Sequence, residues 1–297
     1  MERVEELEDG VRRVTFPLPL GIDHVHCYLL RGGDGWTVVD TGLGVADARE
    51  RWTAVLDELD GGVARVVITH FHPDHVGAAA DVAALTGAPV HQGREDYRQC
   101  VRVWGEGRDP QRLADYMLRH GLPAEHVPRI LDESDTLAGL VRFARDPVPL
   151  DPGDHVDGWE ALALPGHADG HLALLRDGVL VAGDALLAGI SPNVGLYPES
   201  RPDPLGDYLA SLERIAELAP RSRTRRRRRT TCRSRSSRTR SIRRCGGSRS
   251  RRRGRTSSGS CTRGARGGST ATTPCATPSE ARRARAPCRG SRRGACR

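Results

Sequence analysis

The chain contains no lysine: all 46 of its basic residues are arginine. It also lacks any run of about 18 apolar residues, which excludes a membrane-spanning helix on length alone. Its opening, Met1-Glu2-Arg3-Val4-Glu5-Glu6, carries neither the basic start nor the apolar stretch of a secretory signal, so the expected location is cytoplasmic, with no membrane partner. Cysteine is scarce through the first 220 residues, where only Cys27 and Cys100 occur. Two unpatterned thiols exclude a disulfide scaffold and agree with a reducing compartment.

The net charge of +8 conceals two unlike segments. Residues 1–220 hold 19 arginines and 37 acids, net −18, whereas residues 221–297 hold 27 arginines and one acid, Glu280, net +26. The second segment has no Leu, Val, Phe, Tyr, Trp, Met, Asp or His. Ordering a residue costs about 1–2 kcal/mol of backbone entropy, and nothing here is apolar enough to offset it, so residues 221–297 are expected to be disordered. An arginine run such as Arg225 to Arg229 would attract phosphates, which makes a nucleic-acid arm one reading of this tail. The preferred reading is an out-of-frame translation of a GC-rich gene. Its alphabet is what G/C-heavy triplets spell out of register, and it interrupts the helix exit Arg214-Ile215-Ala216-Glu217-Leu218-Ala219-Pro220 without a linker.

Residues 1–220 are long enough for one core. Strands are expected at Val11 to Phe16, at His26 to Arg31 and at Trp36 to Asp40, the last two joined by the turn Gly32-Gly33-Asp34-Gly35. A helix is expected over Ala46 to Leu59, a buried strand over Val63 to Thr69, a small-residue helix over Gly77 to Leu85 and a short strand over Ala88 to His91. Residues 94–145 read as a helical insertion that caps a site. Strands resume at Trp159 to Leu164, Leu172 to Leu175 and Val179 to Ala182. Asp203 to Leu218 reads as an amphipathic helix, capped by Asp203, with Leu205, Tyr208, Leu209, Leu212 and Ile215 facing inward. Alternating strands and helices give the class α/β.

The sharpest feature is His70-Phe71-His72-Pro73-Asp74-His75, three imidazoles and a carboxylate directly after a buried strand. Neutral imidazoles suit a borderline ion such as Zn²⁺, and the carboxylate adds an oxygen donor. A single histidine at a strand end is usually a hydrogen-bonded surface residue; this cluster has metal-ligand spacing. The run resembles the H-x-H-x-D-H signature of the metallo-β-lactamase superfamily. Val38-Val39-Asp40-Thr41-Gly42, Pro165-Gly166-His167 and Ala182-Gly183-Asp184 resemble that family's other motifs and fall in its order along roughly residues 11 to 220. The resemblance implies an αβ/βα sandwich of two mixed sheets flanked by helices. It implies a first zinc on His70, His72 and His167 and a second on Asp74 and His75, with Asp184 bridging. It makes Asp40 a buried supporting group. Asp74 is the expected catalytic residue, orienting the attacking hydroxide. His171 reads as support or packing, and His24, His26, His91, His120, His126 and His155 as ordinary surface or core residues.

The family's last motif, a late histidine, has no counterpart here, since no histidine follows His171. The fold is therefore expected to be incomplete at its C-terminus and the second site weak. The leading functional reading is a zinc-dependent hydrolase of a small-molecule ester or thioester, on resemblance to hydroxyacylglutathione-hydrolase-like members. The alternatives are a zinc phosphodiesterase or ribonuclease, disfavoured by the −18 segment, and an inactive metal-binding remnant.

Overall fold

The computed structural model describes residues 3–8, 10–19 and 21–218; the tail readings for residues 221–297, and the frame break before them, lie outside these. Seven strands form the first sheet in sequential order: β1 (Arg3–Glu8), β2 (Val11–Pro17), β3 (His24–Arg31), β4 (Trp36–Val39), β5 (Val63–Ile68), β6 (Val90–Gln92) and β7 (Val148–Pro149). Neighbours are antiparallel up to β4 and parallel from β4 to β7. The parallel half needs crossovers, supplied by helix α1 (Ala48–Asp57) and, after β5, by the short α2 (Pro73–Val76) and α3 (Ala79–Thr86). The second sheet runs β11 (Val179–Val181), β10 (Leu172–Arg176), β9 (Trp159–Ala163), β8 (His155–Val156) and is antiparallel throughout.

Strand alternation builds two cores at once. In β4 and β5, Val38, Val66 and Ile68 face a core with Trp52 and Val55 of α1 and Val82 of α3, whereas Val39 and Val67 face Trp159, Leu172 and Leu174 of the second sheet. Both faces of these strands are covered, which is why they read as continuous apolar runs instead of alternating ones. The outer face of the second sheet is covered by α7 (Pro204–Leu218), through Leu164, Ala173, Ala185 and Ile215. The result is a helix–sheet–sheet–helix sandwich.

Between β6 and β7 lie α4 (Arg94–Trp104), α5 (Pro110–Arg119) and α6 (Val127–Ala138), the last preceded by a 3-10 turn at Ala124–His126. Their apolar side chains are mostly half-buried.

Two local expectations differ from the structure. Strands β1, β7 and β8 carry no strong periodicity, being short or charged, and were not anticipated. In α7, Leu205 and Leu209 are 56% and 53% exposed, not inward. The face against the sheet is Pro204, Tyr208, Ser211 and Ile215, because Tyr208 packs on Gly166, where a Cβ would lie 2.4 Å from the Tyr208 Cβ, and Ser211 Oγ donates to Pro165 O at 2.7 Å. The apolar arc of this helix is wider than its footprint, and periodicity does not say which edge of the arc meets the sheet. Asp203 does cap the helix, its Oδ1 accepting the Gly206 N–H at 2.9 Å.

Candidate metal centre

The motif residues lie on the loops that leave β4, β5, β9 and β11, where the two sheets meet through the Leu172 N–H donating to Thr69 O at 2.9 Å. Asp40 ends β4 with a positive φ of 61°, an uncommon conformation that Asp tolerates better than most residues. This bend turns its carboxylate inward. Oδ1 accepts the Thr69 N–H and Oδ2 the Thr69 hydroxyl, each at 2.8 Å, and Oδ2 also lies 2.8 Å from His75 Nδ1. The next residue, Thr41, donates its N–H and its hydroxyl to His75 O, both at 2.8 Å, so the β4 exit and the α2 turn are clamped together.

The outer partners of the imidazoles settle which nitrogen carries the proton. Thr69 Oγ1 spends its only proton on Asp40 and so accepts from His70 Nδ1, 3.0 Å away. His167 Nδ1 lies 2.7 Å from the carbonyl of Asn193, which can only accept. In the neutral rings, the Nε2 atoms of His70 and His167 are then bare lone pairs. Both point at His72 Nδ1, at 3.1 and 2.7 Å. One proton on His72 would satisfy at most one of these contacts; one cation satisfies all three rings. Burial, followed by the neighbouring imidazoles, holds His70 and His72 well below the ordinary histidine range, and burial lowers His167. The rings are thus in the neutral form that ligates metal.

His75 behaves differently. Burial would lower it, but Asp184, Asp40 and Asp74 together outweigh burial and raise it well above the ordinary value. Its Nε2 is buried without a hydrogen-bond partner, although Asp184 Oδ1 and Asp74 Oδ2 lie 3.3 and 3.7 Å away. Asp74 and Asp184 on the Nε2 side and Asp40 on the Nδ1 side place three carboxylates around this one ring, a field that calls for positive charge. Asp184 itself is held below the carboxylate range because His75, His167 and His171 overcome its burial. Its two oxygens point to different rings, Oδ1 toward His75 and Oδ2 toward His167 at 3.5 Å.

Two sets of donors therefore converge within 4.8 Å, one of His70, His72 and His167, the other of His70, His75 and Asp184. The residues fit a metal group. Asp74 falls outside both sets but adjoins the second. His171 is not a donor: its Nε2 accepts the Asp184 N–H at 3.2 Å and its ring stacks on His70 at 4.9 Å, fixing the Asp184 loop. Gly183, with φ +51°, lets that loop approach, since a Cβ there would sit 2.8 Å from His171 Nε2. His24, His26, His91, His120, His126 and His155 all lie outside these sets.

Sequence reading did not single out Asp96. In Arg94-Glu95-Asp96 it looks like an acidic first helical turn, yet it is fully buried, its Oδ1 accepting the Phe71 N–H at 2.9 Å and its Oδ2 the Gln92 amide at 2.7 Å. Trp104, also unremarked as a site group, donates its indole N–H to Phe71 O at 2.7 Å. Both grip the backbone between His70 and His72.

A cavity of about 450 Å³ opens against the first donor set, with His72 and His167 in its wall and α4, α5 and α6 forming much of the rest. Such a volume suits a small-molecule ligand.

A double-sheet sandwich with paired donor sets at its strand ends defines a metal-dependent protein of the β-lactamase-fold class. The sequence pattern of the Metallo-beta-lactamase superfamily matches residues 20–221, and the chain belongs to that superfamily. Among curated proteins it is 29% identical over 230 residues to "Probable metallo-hydrolase YqjP" of Bacillus subtilis, covering 71% of this chain and 69% of that one. It is also 29% identical over 198 residues to "Hydroxyacylglutathione hydrolase" of Aeromonas hydrophila, covering 65% of this chain but only 53% of that enzyme. Among solved structures, the metallo-beta-lactamase family protein TTHA1429 of Thermus thermophilus matches with a TM-score of 0.63 and 36% identity, covering 71% of each chain. Among the described residues no helix is long and apolar enough to cross a membrane.

Proposed function

We propose that the chain is a zinc-dependent hydrolase of a small-molecule ester or thioester. The observation that carries this is the convergence of His70 Nε2, His72 Nδ1 and His167 Nε2, with the His70 and His167 protons held on their outer nitrogens, on the wall of a cavity sized for a small ligand. A nitrogen-rich donor set of this kind suits zinc. When bound, zinc supplies a water acidic enough to ionise near neutral pH and a positive charge that polarises a scissile carbonyl. The chain's own part is orientation. Asp40 and Thr69 fix the rings of His75 and His70, Asn193 fixes that of His167, and the Asp74 carboxylate, beside His75, would accept a hydrogen bond from a water held there. The likeness to a hydroxyacylglutathione hydrolase supports acyl transfer to water as the reaction. A second ion would rest on His70, His75 and Asp184, with the Asp74 carboxylate beside them.

The test is to purify the full chain, measure its metals by mass spectrometry and assay p-nitrophenyl acetate, an S-acyl thioester and bis-p-nitrophenyl phosphate. Zinc at or above one equivalent with ester or thioester turnover is expected. Cleavage of the phosphodiester alone would move the assignment to a phosphodiesterase, and full zinc loading with no turnover would leave a metal-binding protein without this activity.

A further inference from the structure

The cavity beside the donor set has a composition that the reaction itself does not require. Val103 and Trp104 of α4, Leu113 and Met117 of α5, and Ile130 and Leu137 of α6 line it. All six are half-buried in the structure as it stands, so they present apolar surface to the space between them.

Several polar groups in the same wall are already paired, while the Arg102 side chain and the buried Gln99 Oε1 have no hydrogen-bond partner among the described residues. Arg108 donates to Ser134 Oγ at 3.1 Å and to Asp135, and Asp109 accepts the Arg112 N–H at 3.1 Å as the cap of α5. Asp169 accepts the Arg201 N–H at 2.9 Å, and Glu199 pairs with Arg112 at 3.8 Å. Arg112 also donates to Pro198 O at 2.9 Å, which ties the loop beyond Asp184 to α5 and closes the cavity on that side. A charged ligand group set among the six apolar side chains would give up water without gaining a partner from them. An apolar group would displace only water from apolar surface.

We propose that this cavity takes the acyl part of the substrate, and that this part is a straight, uncharged apolar chain, with the leaving group outside the cavity. The inference rests on the hydrolase reading above for the word substrate, but the binding of the chain does not. Each methylene entering the cavity contributes about 0.8 kcal/mol, close to a fourfold gain in affinity per carbon until the space is filled.

The experiment uses the full, zinc-loaded chain and two readouts. Calorimetry measures binding of butanoate, hexanoate and octanoate, whose head group is constant so that only the chain varies. Kinetics measures kcat/KM for the p-nitrophenyl esters from acetate to octanoate and for an S-acylglutathione. The expected result is a rise of about fourfold per carbon in both series, and its loss in L137W, where an indole fills the space, with zinc content unchanged. M117W, on a different helix, gives the same loss and serves if the first variant does not fold. Tighter alkanoate binding with chain length but no ester turnover would uphold the cavity and overturn the hydrolase reading. Turnover with a flat dependence on chain length in both series, or a preference for the charged glutathione thioester over the octanoyl ester, would overturn the apolar-chain inference and leave the hydrolase reading standing.

Discussion

Around His70 the polar atoms are fixed by short contacts from four loops, and the rings themselves are buried or nearly so; across the cavity, α4, α5 and α6 expose half-buried apolar side chains and are joined to the rest through a few bonds such as Trp104 to Phe71 O and Arg112 to Pro198 O. The two walls of one cavity are thus built in opposite ways. The donor wall depends on direction, because a lone pair misplaced by half an ångström no longer ligates. The helical wall depends on area, which is non-directional and tolerates adjustment. Substitutions should therefore act sharply on the first and gradually on the second.

The largest expected effect is on the donor wall. His70→Ala or His167→Ala should remove first-site zinc, read by mass spectrometry, and bring hydrolysis to the uncatalysed rate. His120→Ala, at the exposed end of α5 with its ring against Tyr116, should change neither. Zinc retained in both ligand variants would dissolve the distinction between the walls. Next in size is Asp40→Asn, which weakens the hold on the Thr69 hydroxyl and on the proton at His75 Nδ1; chelator competition should show metal affinity lower by about 10–100-fold.

A third test falls on the seam between the walls. Asp96→Ala leaves the buried Phe71 N–H without an acceptor and should cost about 1–3 kcal/mol in denaturant unfolding. Asp96→Asn should cost less, because the Gln92 amide can flip and offer its carbonyl oxygen, now unpartnered, to the new amide. The pH dependence separates the two carboxyl states. Burial, opposed by the Gln92 and Phe71 donors, pushes Asp96 up to about 8. A folded-state value above the unfolded one means that the folded protein holds the extra proton. This contribution is complete below about pH 4 and is lost as pH rises toward about 8. Wild-type stability should fall across that window relative to Asp96→Asn; parallel curves would refute the raised value.

A last pair, whose exposed member carries the smallest effect of all, sharpens the contrast at α7. Ile215→Ala, on the sheet side, should cost about 2–5 kcal/mol, whereas Leu209→Ala on the exposed side should stay within about 0.5 kcal/mol, both from urea unfolding. Equal losses would mean that the Leu209 face is covered in solution.

Much of the donor wall was legible in advance because its chemistry is local in sequence. His70, His72, Asp74 and His75 fall within one six-residue run after a β-branched strand, and Asp40, His167 and Asp184 each close a short motif at a strand end. The order of strands and helices followed from periodicities that the sandwich imposes on both faces of β4 and β5. Asp96 and Trp104 were not legible as site groups, since each looks like an ordinary helical residue and acquires its role from Phe71, distant in sequence. The inward face of α7 was misjudged for a related reason: its partners, Pro165 and Gly166, lie on a loop some forty residues earlier.

By itself, then, the sequence determined the α/β class, the family and the motif residues that end its strands, because residue type and short-range spacing encode those directly. Only the tertiary structure decided which imidazole nitrogen is bare, that Asp184 reaches toward both His75 and His167, that Asp74 stands beside the two donor sets and not within them, and that the helices over residues 94–138 enclose an apolar cavity. Those depend on which atoms of distant segments come within about 3–4 Å, and hydrogen-bond direction and burial are properties of that assembled geometry, not of any one stretch of chain.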